Sequence, residues 1–175
     1  MRSVDPPIAP RDAAGAEAHI VSAYEAHHAE LFAFLARSTR DRAVAEELLQ
    51  ETFSRFTGET RDEPAADLVR GILYRIASNL AVERAHRQAS AKRRRIAAPA
   101  PEPRLLMTER STDIERALEG LSVDARVGLL LSGEGFSGDE IAAAIGRSAA
   151  ATRTLLCLAR GRVRIRRELF AAEGR

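Results

Sequence analysis

The strongest constraint on how this chain can fold lies near its C-terminus, in residues 136–167, where two helix-start signals flank a glycine. Ser137 and Glu140 form a capping box, in which the serine accepts from a backbone N–H three residues on and the glutamate reaches back. Gly146 suits the end of that helix, because glycine readily adopts the left-handed conformation of a C-cap. Ser148 can cap a second helix directly afterwards. This spacing predicts a helix-turn-helix.

Apolar spacing and charge extend the prediction along the second of these helices. Its apolar residues recur three and four positions apart, as one buried helix face requires. They are Leu155, Leu156, Ala159 and Val163. Residues 153–167 contain six arginines and no acid, which suits a helix lying along a phosphate backbone. Taken alone, the stretch leaves a second reading open, an ordinary helical hairpin with a solvated arginine face.

The composition of the whole chain favours helices. Its 175 residues are 45% apolar, enough for packed cores, and only 5% aromatic. Pro99, Pro101 and Pro103 interrupt the helical pattern and predict an extended spacer. We therefore expect an all-α protein of two small helical domains joined by a Pro-rich linker. The predicted segments are a flexible leader at 1–16, a first domain at 17–96, the linker at 97–111 and a helix-turn-helix domain at 112–175.

Three helices are predicted in the first domain from the spacing of its apolar residues. They cover about residues 17–36, residues 41–57, and the stretch from just after residue 64 to about residue 95. Tyr24 and Leu68 fall on the predicted core faces of the first and third helices. Glu46, Glu47, Gln50 and Glu51 fall on the opposite side of the second helix.

Charge is segregated along the chain although the formal net charge is only +2. Residues 84–95 hold six basic residues and no acid, whereas residues 41–67 hold eight acids against three arginines. Nucleic-acid binding would therefore rest on local basic patches rather than on the overall charge.

Other classes of protein find little support in the sequence. No apolar run approaches the length that a membrane span requires, so no direct membrane insertion is expected. Cys157 is the single cysteine, which favours a reducing, cytoplasmic setting, and we expect it to be a small apolar filler. No nucleophile–base pair, phosphate-binding glycine loop or metal-ligand spacing is present. We therefore predict a protein that is not an enzyme, with no cofactor and no metal site.

Two stretches of the first domain resemble a known family. Residues 45–53, AEELLQETF, resemble the second conserved region of bacterial sigma factors of the extracytoplasmic-function group. Residues 73–80, LYRIASNL, resemble the promoter-melting segment that follows it in the sigma-seventy family. Downstream, residues 117–142 and the pair Ala159-Arg160 resemble the fourth region of the same family.

This resemblance implies an alternative sigma factor that binds core RNA polymerase, directs initiation at promoter DNA and is held by an anti-sigma factor. The acidic face of the second helix would contact the polymerase, through Glu47, Gln50 and Glu51. The third helix would contact the downstream promoter element, and the helix-turn-helix the upstream one. The predicted DNA-binding residues are Tyr74, Arg75, Asn79, Glu83, Arg84, Arg87, Arg93, Arg94, Arg95, Arg147, Ser148, Arg153, Thr154 and Arg160.

Several residues depart from the pattern of the family. The departures are Ile72 for tryptophan, Glu47 and Glu83 for aspartate, Ser122 for proline, Arg147 for an apolar turn residue, Ala151-Thr152 for Thr-Val, and Leu155 and Leu158 for basic residues. They leave the fold prediction unchanged but argue against strong recognition of the upstream element.

Two alternatives stay open at the level of sequence. A sigma-like decoy or adaptor that binds an anti-sigma protein would keep the helical packing, although the basic runs argue against it. A helix-turn-helix operator-binding repressor would need only the C-terminal domain, and it leaves the first-domain motifs unexplained.

Overall fold

The computed structural model describes residues 13–59, 64–94, 114 and 116–173, and every regular element in them is an α-helix. The helices are α1 (Ala13–Thr39), α2 (Arg42–Glu59), α3 (Ala66–Arg94), α4 (Val123–Gly133), α5 (Gly138–Ile145) and α6 (Ala149–Glu173). The predicted all-α class is confirmed. Residues 1–12 of the predicted leader and the predicted linker at 97–111 lie outside the described residues.

Helices α1, α2 and α3 pack together because each presents an apolar stripe to the other two. The largest fully buried side chains of this group are Leu31, Leu35, Phe56, Leu73, Tyr74 and Leu80. Burying one such leucine or phenylalanine contributes on the order of 1.5–3 kcal/mol. Asp41 starts α2 by accepting from the backbone N–H of Val44 at 3.1 Å. Because the apolar side of α2 is buried against α1 and α3, its polar side faces the solvent.

The helix-turn-helix predicted from the capping signals is confirmed. The Ser137 hydroxyl accepts from the Glu140 backbone N–H at 3.3 Å, and the Glu140 carboxylate accepts from the Ser137 N–H at 2.8 Å. Gly146 ends α5 in the left-handed conformation, with φ of 66°. The Ser148 hydroxyl then accepts from the Ala151 N–H at 3.2 Å and starts α6.

Ser122, one of the departures from the family pattern, also caps a helix. Its hydroxyl accepts from the Ala125 N–H at 3.3 Å at the start of α4. Its φ of −63° is the angle that a proline would hold there. Serine therefore keeps the backbone angle and adds a hydrogen bond that proline could not make.

Helices α4, α5 and α6 do not form a core separate from that of α1–α3. Val127, Leu131, Ile141 and Leu156 are buried in the same apolar cluster as the residues of α1, α2 and α3. A smaller cluster of Leu118, Leu121, Ala125 and Ala159 lies to one side of it. Within the described ranges, the two predicted domains thus share one main core, which the apolar spacing of the sequence does not reveal.

Three predicted core residues are exposed instead. Tyr24 is 46% exposed and stacks on His28, with ring centroids 4.9 Å apart. Leu68 is 57% exposed, at the start of α3. Cys157 is exposed because it follows Leu156, which points inward, and successive helical residues diverge by about 100 degrees.

Among the described helices, none is by itself long and apolar enough to cross a membrane; α5 and α6 pass that test only as a pair, by length and composition, and they meet at 98°.

Candidate polymerase and nucleic-acid interface

The residues predicted to bind polymerase lie together on the outer face of α2. Glu47, Gln50 and Glu51 are all exposed, while Leu48 and Phe53 of the same motif are buried. Residues three and four positions apart on a helix are surface neighbours, so the three polar side chains form one patch. The motif thus separates into a buried half, which supports the fold, and a polar half that is open to a partner.

A cleft of about 410 Å³ between α2 and α3 brings two predicted sets together. Glu47, Gln50 and Glu51 line it on one side, and Arg84 and Arg87 line it on the other. The Arg84 guanidinium donates to the Glu47 carboxylate at 2.6 Å. Exposed ion pairs of this kind are worth only about 0–1 kcal/mol, so a phosphate can readily replace the carboxylate.

Four predicted DNA-binding residues form a single stripe along α3. Arg75, Asn79, Glu83 and Arg87 follow one another at intervals of four, and all but the half-buried Asn79 are exposed. The stripe extends for about 18 Å, at 1.5 Å per residue. Such a row of polar side chains can follow a nucleic-acid strand over several nucleotides.

Tyr74 was predicted to lie near exposed bases, and the structure places it in the core instead. Its ring packs against Phe34 and Phe136, with centroids 5.1 and 5.3 Å away, and it is 0% exposed. Burial, together with the nearby carboxylates of Glu134 and Glu30, raises the pKa of Tyr74 to about 12. Position 74 directly precedes Arg75 of the exposed stripe, so its side chain points to a different side of α3. There it meets Phe136, which comes from a distant part of the sequence. In this arrangement no base can touch the ring.

The predicted basic end of α3 is only partly described. Arg93 and Arg94 belong to its last turn, but their side chains lie outside the described part of the chain. Arg95 lies outside the described residues altogether.

Arg147, a second departure from the family pattern, is held by a buried carboxylate. Its guanidinium donates through Nε to Asp124 at 2.9 Å and forms a second, shorter contact through Nη2. The Asp124 side chain is 4% exposed, and its other oxygen is 3.1 Å from Nε2 of His86 on α3. Arg147 therefore closes the turn of the helix-turn-helix electrostatically where an apolar residue is usual. Asp124 and His86 were not predicted, because nothing in their local sequence indicates this pairing.

The exposed face of α6 carries few groups that could read bases. Arg153 and Thr154 are exposed, but the Thr154 hydroxyl donates to the Ala150 carbonyl at 3.2 Å. The Ser148 hydroxyl is occupied by its cap, and Arg160 donates to the Ser132 hydroxyl at 2.9 Å. Leu158 is 65% exposed on the same helix. The arrangement suits phosphate contacts better than base recognition.

A further groove on the far side of α6 was not predicted. It has a volume of about 650 Å³ and is lined by both apolar and charged side chains. The apolar ones are Ile114, Leu118, Leu129, Leu130 and Val163, and the charged ones are Arg160, Arg164, Arg167 and Glu168. The adjacent leucines at 129 and 130 could have indicated this groove. Neighbouring residues on a helix point in different directions, so a single buried face cannot cover both side chains fully.

The described helices thus form a three-helix group that carries an exposed acidic face, followed by a helix-turn-helix. The chain resembles the sigma factor RpoE from Bartonella quintana, solved as a co-crystal structure with the anti-sigma factor NepR. The TM-score is 0.63 at 21% sequence identity, over 87% of this chain and 96% of the other. No family model matches the sequence, and no curated protein shows significant similarity to it. The structural likeness establishes the fold.

Proposed function

We propose that this protein is an alternative sigma factor, which joins core RNA polymerase and directs initiation at a dedicated set of promoters. The observation that carries the proposal is the division of residues 45–53 between core and surface. Leu48, Leu49 and Phe53 are buried, whereas Glu47, Gln50 and Glu51 share one exposed patch. A motif needed only for folding would not require this acidic patch.

The surfaces of α3, α5 and α6 are assigned to promoter DNA. The polar stripe on α3 and the basic residues at the end of that helix bind the downstream promoter element, and α5 and α6 position the chain at the upstream element. Residues 17–96 act as the sigma region 2-like domain, and residues 112–175 as the region 4-like domain. The similar RpoE was crystallised with an anti-sigma factor, which supports a regulator of that kind here. Such a protein acts in the cytoplasm and has no catalytic centre of its own.

Run-off transcription tests the proposal directly. Purified core polymerase is mixed with the protein and a library of genomic fragments, and the transcripts are sequenced. We expect transcripts that start at a shared promoter sequence and that depend on the added protein. Absence of both core binding and initiation would refute the proposal.

The same experiment separates the two alternatives. A decoy would capture an anti-sigma protein without supporting initiation. A repressor would bind duplex operator DNA without polymerase. No contact within the described part of the chain favours either of them over a sigma factor.

A further inference from the structure

The outward face of α6 is apolar over its first turns, although it meets solvent. Leu158 is 65% exposed, whereas Thr152, Leu156 and Ala159 on the opposite face are buried. The exposed residues of these turns that carry no charge are Ala150, Ala151, Thr154, Cys157 and Leu158. A helix face that only meets water usually carries polar side chains. The outward side of α6 therefore has the composition of a contact surface.

The hydroxyl groups near this face are already used within the helix. The Thr154 hydroxyl donates to the Ala150 carbonyl at 3.2 Å, and the Ser148 hydroxyl accepts from the Ala151 N–H at 3.2 Å. Residues 149–173 contain no asparagine or glutamine, whose amides pair with adenine. The methyl group of Thr154 is thus the part of this side chain that stays available to a partner. Hydrogen-bonded recognition of bases is weak here, and apolar contact remains.

Positive charge borders the apolar face on both sides. Since successive helical residues diverge by about 100 degrees, Arg153 and Arg164 lie along one edge of the face and Arg162 along the other. All three are exposed, and no acid occurs from residue 149 to residue 167. The partner of this face is therefore anionic at its margins and apolar between them. The major groove of DNA fits, because the C5 methyl groups of thymine lie there between two rows of phosphates.

The position of this face within the helix-turn-helix agrees with that partner. The second helix of such a motif enters the major groove with its N-terminal residues against the base edges. Residues 150–158 rise by about 12 Å along α6. This length matches about three to four base pairs, at about 3.4 Å each.

We propose that α6 recognises the upstream promoter element through the methyl groups of its thymines, with Leu158 and the Thr154 methyl group in contact with them and the bordering arginines on phosphates. The proposal rests on the proposed function, which places α6 at that element. It also gives a role to a departure from the family pattern, because Leu158 stands where a basic residue is usual. The element of this protein is then selected by thymines at defined positions.

Two pools of duplex DNA that differ only in this methyl group test the proposal. Each pool has a random central segment, and one is made with thymine and the other with deoxyuridine, which pairs in the same way but lacks the C5 methyl group. The full-length protein should enrich thymine at fixed positions of the first pool. Replacing those thymines with deoxyuridine in the best-bound duplex should weaken binding about four-fold for each contacted methyl group, the effect of burying one such group.

Three variants identify the residues that are responsible. Leu158→Ala, which keeps a good helix former, should bring the ratio of thymine to deoxyuridine affinity toward one. Leu169→Ala is the matched control, because Leu169 is 57% exposed on the same helix but lies about three turns further on, beyond the segment that meets the bases. Arg153→Gln should weaken both duplexes alike and lower the salt dependence of binding, while the ratio stays the same. Circular dichroism verifies that each variant keeps its helix content.

The possible results separate this proposal from the proposed function. Equal affinity for the thymine and deoxyuridine duplexes would overturn the methyl contact, and the exposed face would then belong to a protein interface. A ratio in Leu158→Ala that equals the ratio in the parent would exclude Leu158 as the contacting residue. Absence of duplex binding at low salt would likewise refute the proposal. Failure to bind core polymerase would refute only the proposed function, because the methyl dependence is measured without polymerase.

Discussion

At the scale of single residues, the exposed patch on α2 leads to the clearest functional prediction. Reversing charge at Gln50 and Glu51, by substitution of both with lysine, should weaken binding to core polymerase roughly ten-fold or more, because interface charges fix register and partner. The fold should remain cooperative, since both side chains are exposed. Titration of labelled core polymerase measures the change.

Glu25→Lys is the control for this substitution, because it reverses an exposed acid on α1, outside the patch. If the parent and the Gln50/Glu51 variant bound core polymerase equally well, the outer face of α2 would not be part of the polymerase interface. If the control weakened polymerase binding by the same amount, the effect of the Gln50/Glu51 variant would be due to overall charge.

The sequence placed the polar side of α2 correctly, and its failures elsewhere have a common cause. Glu47, Gln50 and Glu51 could be placed because the spacing of Leu48, Leu49 and Phe53 indicates which side of α2 is buried. Tyr74 could not, because its ring is covered by Phe34 and Phe136, and contacts across such sequence separations leave no trace in local spacing. The partner of Arg147 was missed for the same reason.

At the scale of helices, the capping box of α5 is expected to contribute measurably to stability. Ser137→Ala should lower the free energy of unfolding by about 1 kcal/mol at pH 7. Hydrogen bonds from Ser137 lower the pKa of Glu140 below its ordinary value of 4.5. Stabilisation from this carboxylate is therefore present above that value and is lost as pH falls through the lower, folded-state pKa.

Urea denaturation across a range of pH measures both effects. The difference between the parent and Ser137→Ala should narrow in acid, because protonation of Glu140 weakens the hydrogen bond that its carboxylate accepts from the Ser137 hydroxyl at 2.6 Å, a bond that the alanine variant lacks. A difference that stays constant down to low pH would contradict a capping box that depends on the ionised carboxylate.

Two glycines of α4 allow a test of how closely this helix packs. A Cβ at Gly128 would lie 3.0 Å from a methyl group of Leu156, which is buried, whereas one at Gly133 would meet nothing within 4 Å. Gly133→Ala should therefore stabilise the protein by up to about 1 kcal/mol through helix propensity. Gly128→Ala should lose that gain to overpacking, which typically costs about 1–3 kcal/mol. Equal stability of the two variants would show that Leu156 moves aside freely.

Helix identity was highly predictable, and the way that the helices assemble was not. Ser137, Gly146 and Ser148 mark helix ends by local chemistry, so both helices of the helix-turn-helix could be predicted. By contrast, the hydrogen bond from Arg126 to the Ser38 carbonyl joins residues far apart in sequence. A charged residue within an apolar pattern gives no indication that it will be buried against the end of another helix.

At the scale of the whole molecule, the shared core predicts one cooperative unfolding transition rather than two. Leu131 and Ile141 lie in the same apolar cluster as Leu31 and Leu73, so neither helix group can lose its packing without exposing the other. Calorimetry should show a single peak, with calorimetric and van't Hoff enthalpies that agree. Two resolved peaks would contradict a shared core.

The ion pair between Arg84 and Glu47 has a thermodynamic consequence of its own. One partner belongs to the surface proposed for polymerase, and the other to the surface proposed for DNA. A basic group of the polymerase that takes Glu47 releases Arg84 for a phosphate, and a phosphate that takes Arg84 releases Glu47. Because such coupling is reciprocal, each ligand must raise the affinity for the other by the same factor. An exposed pair limits this factor to about five-fold, enough to favour DNA capture by the assembled complex over capture by the free chain.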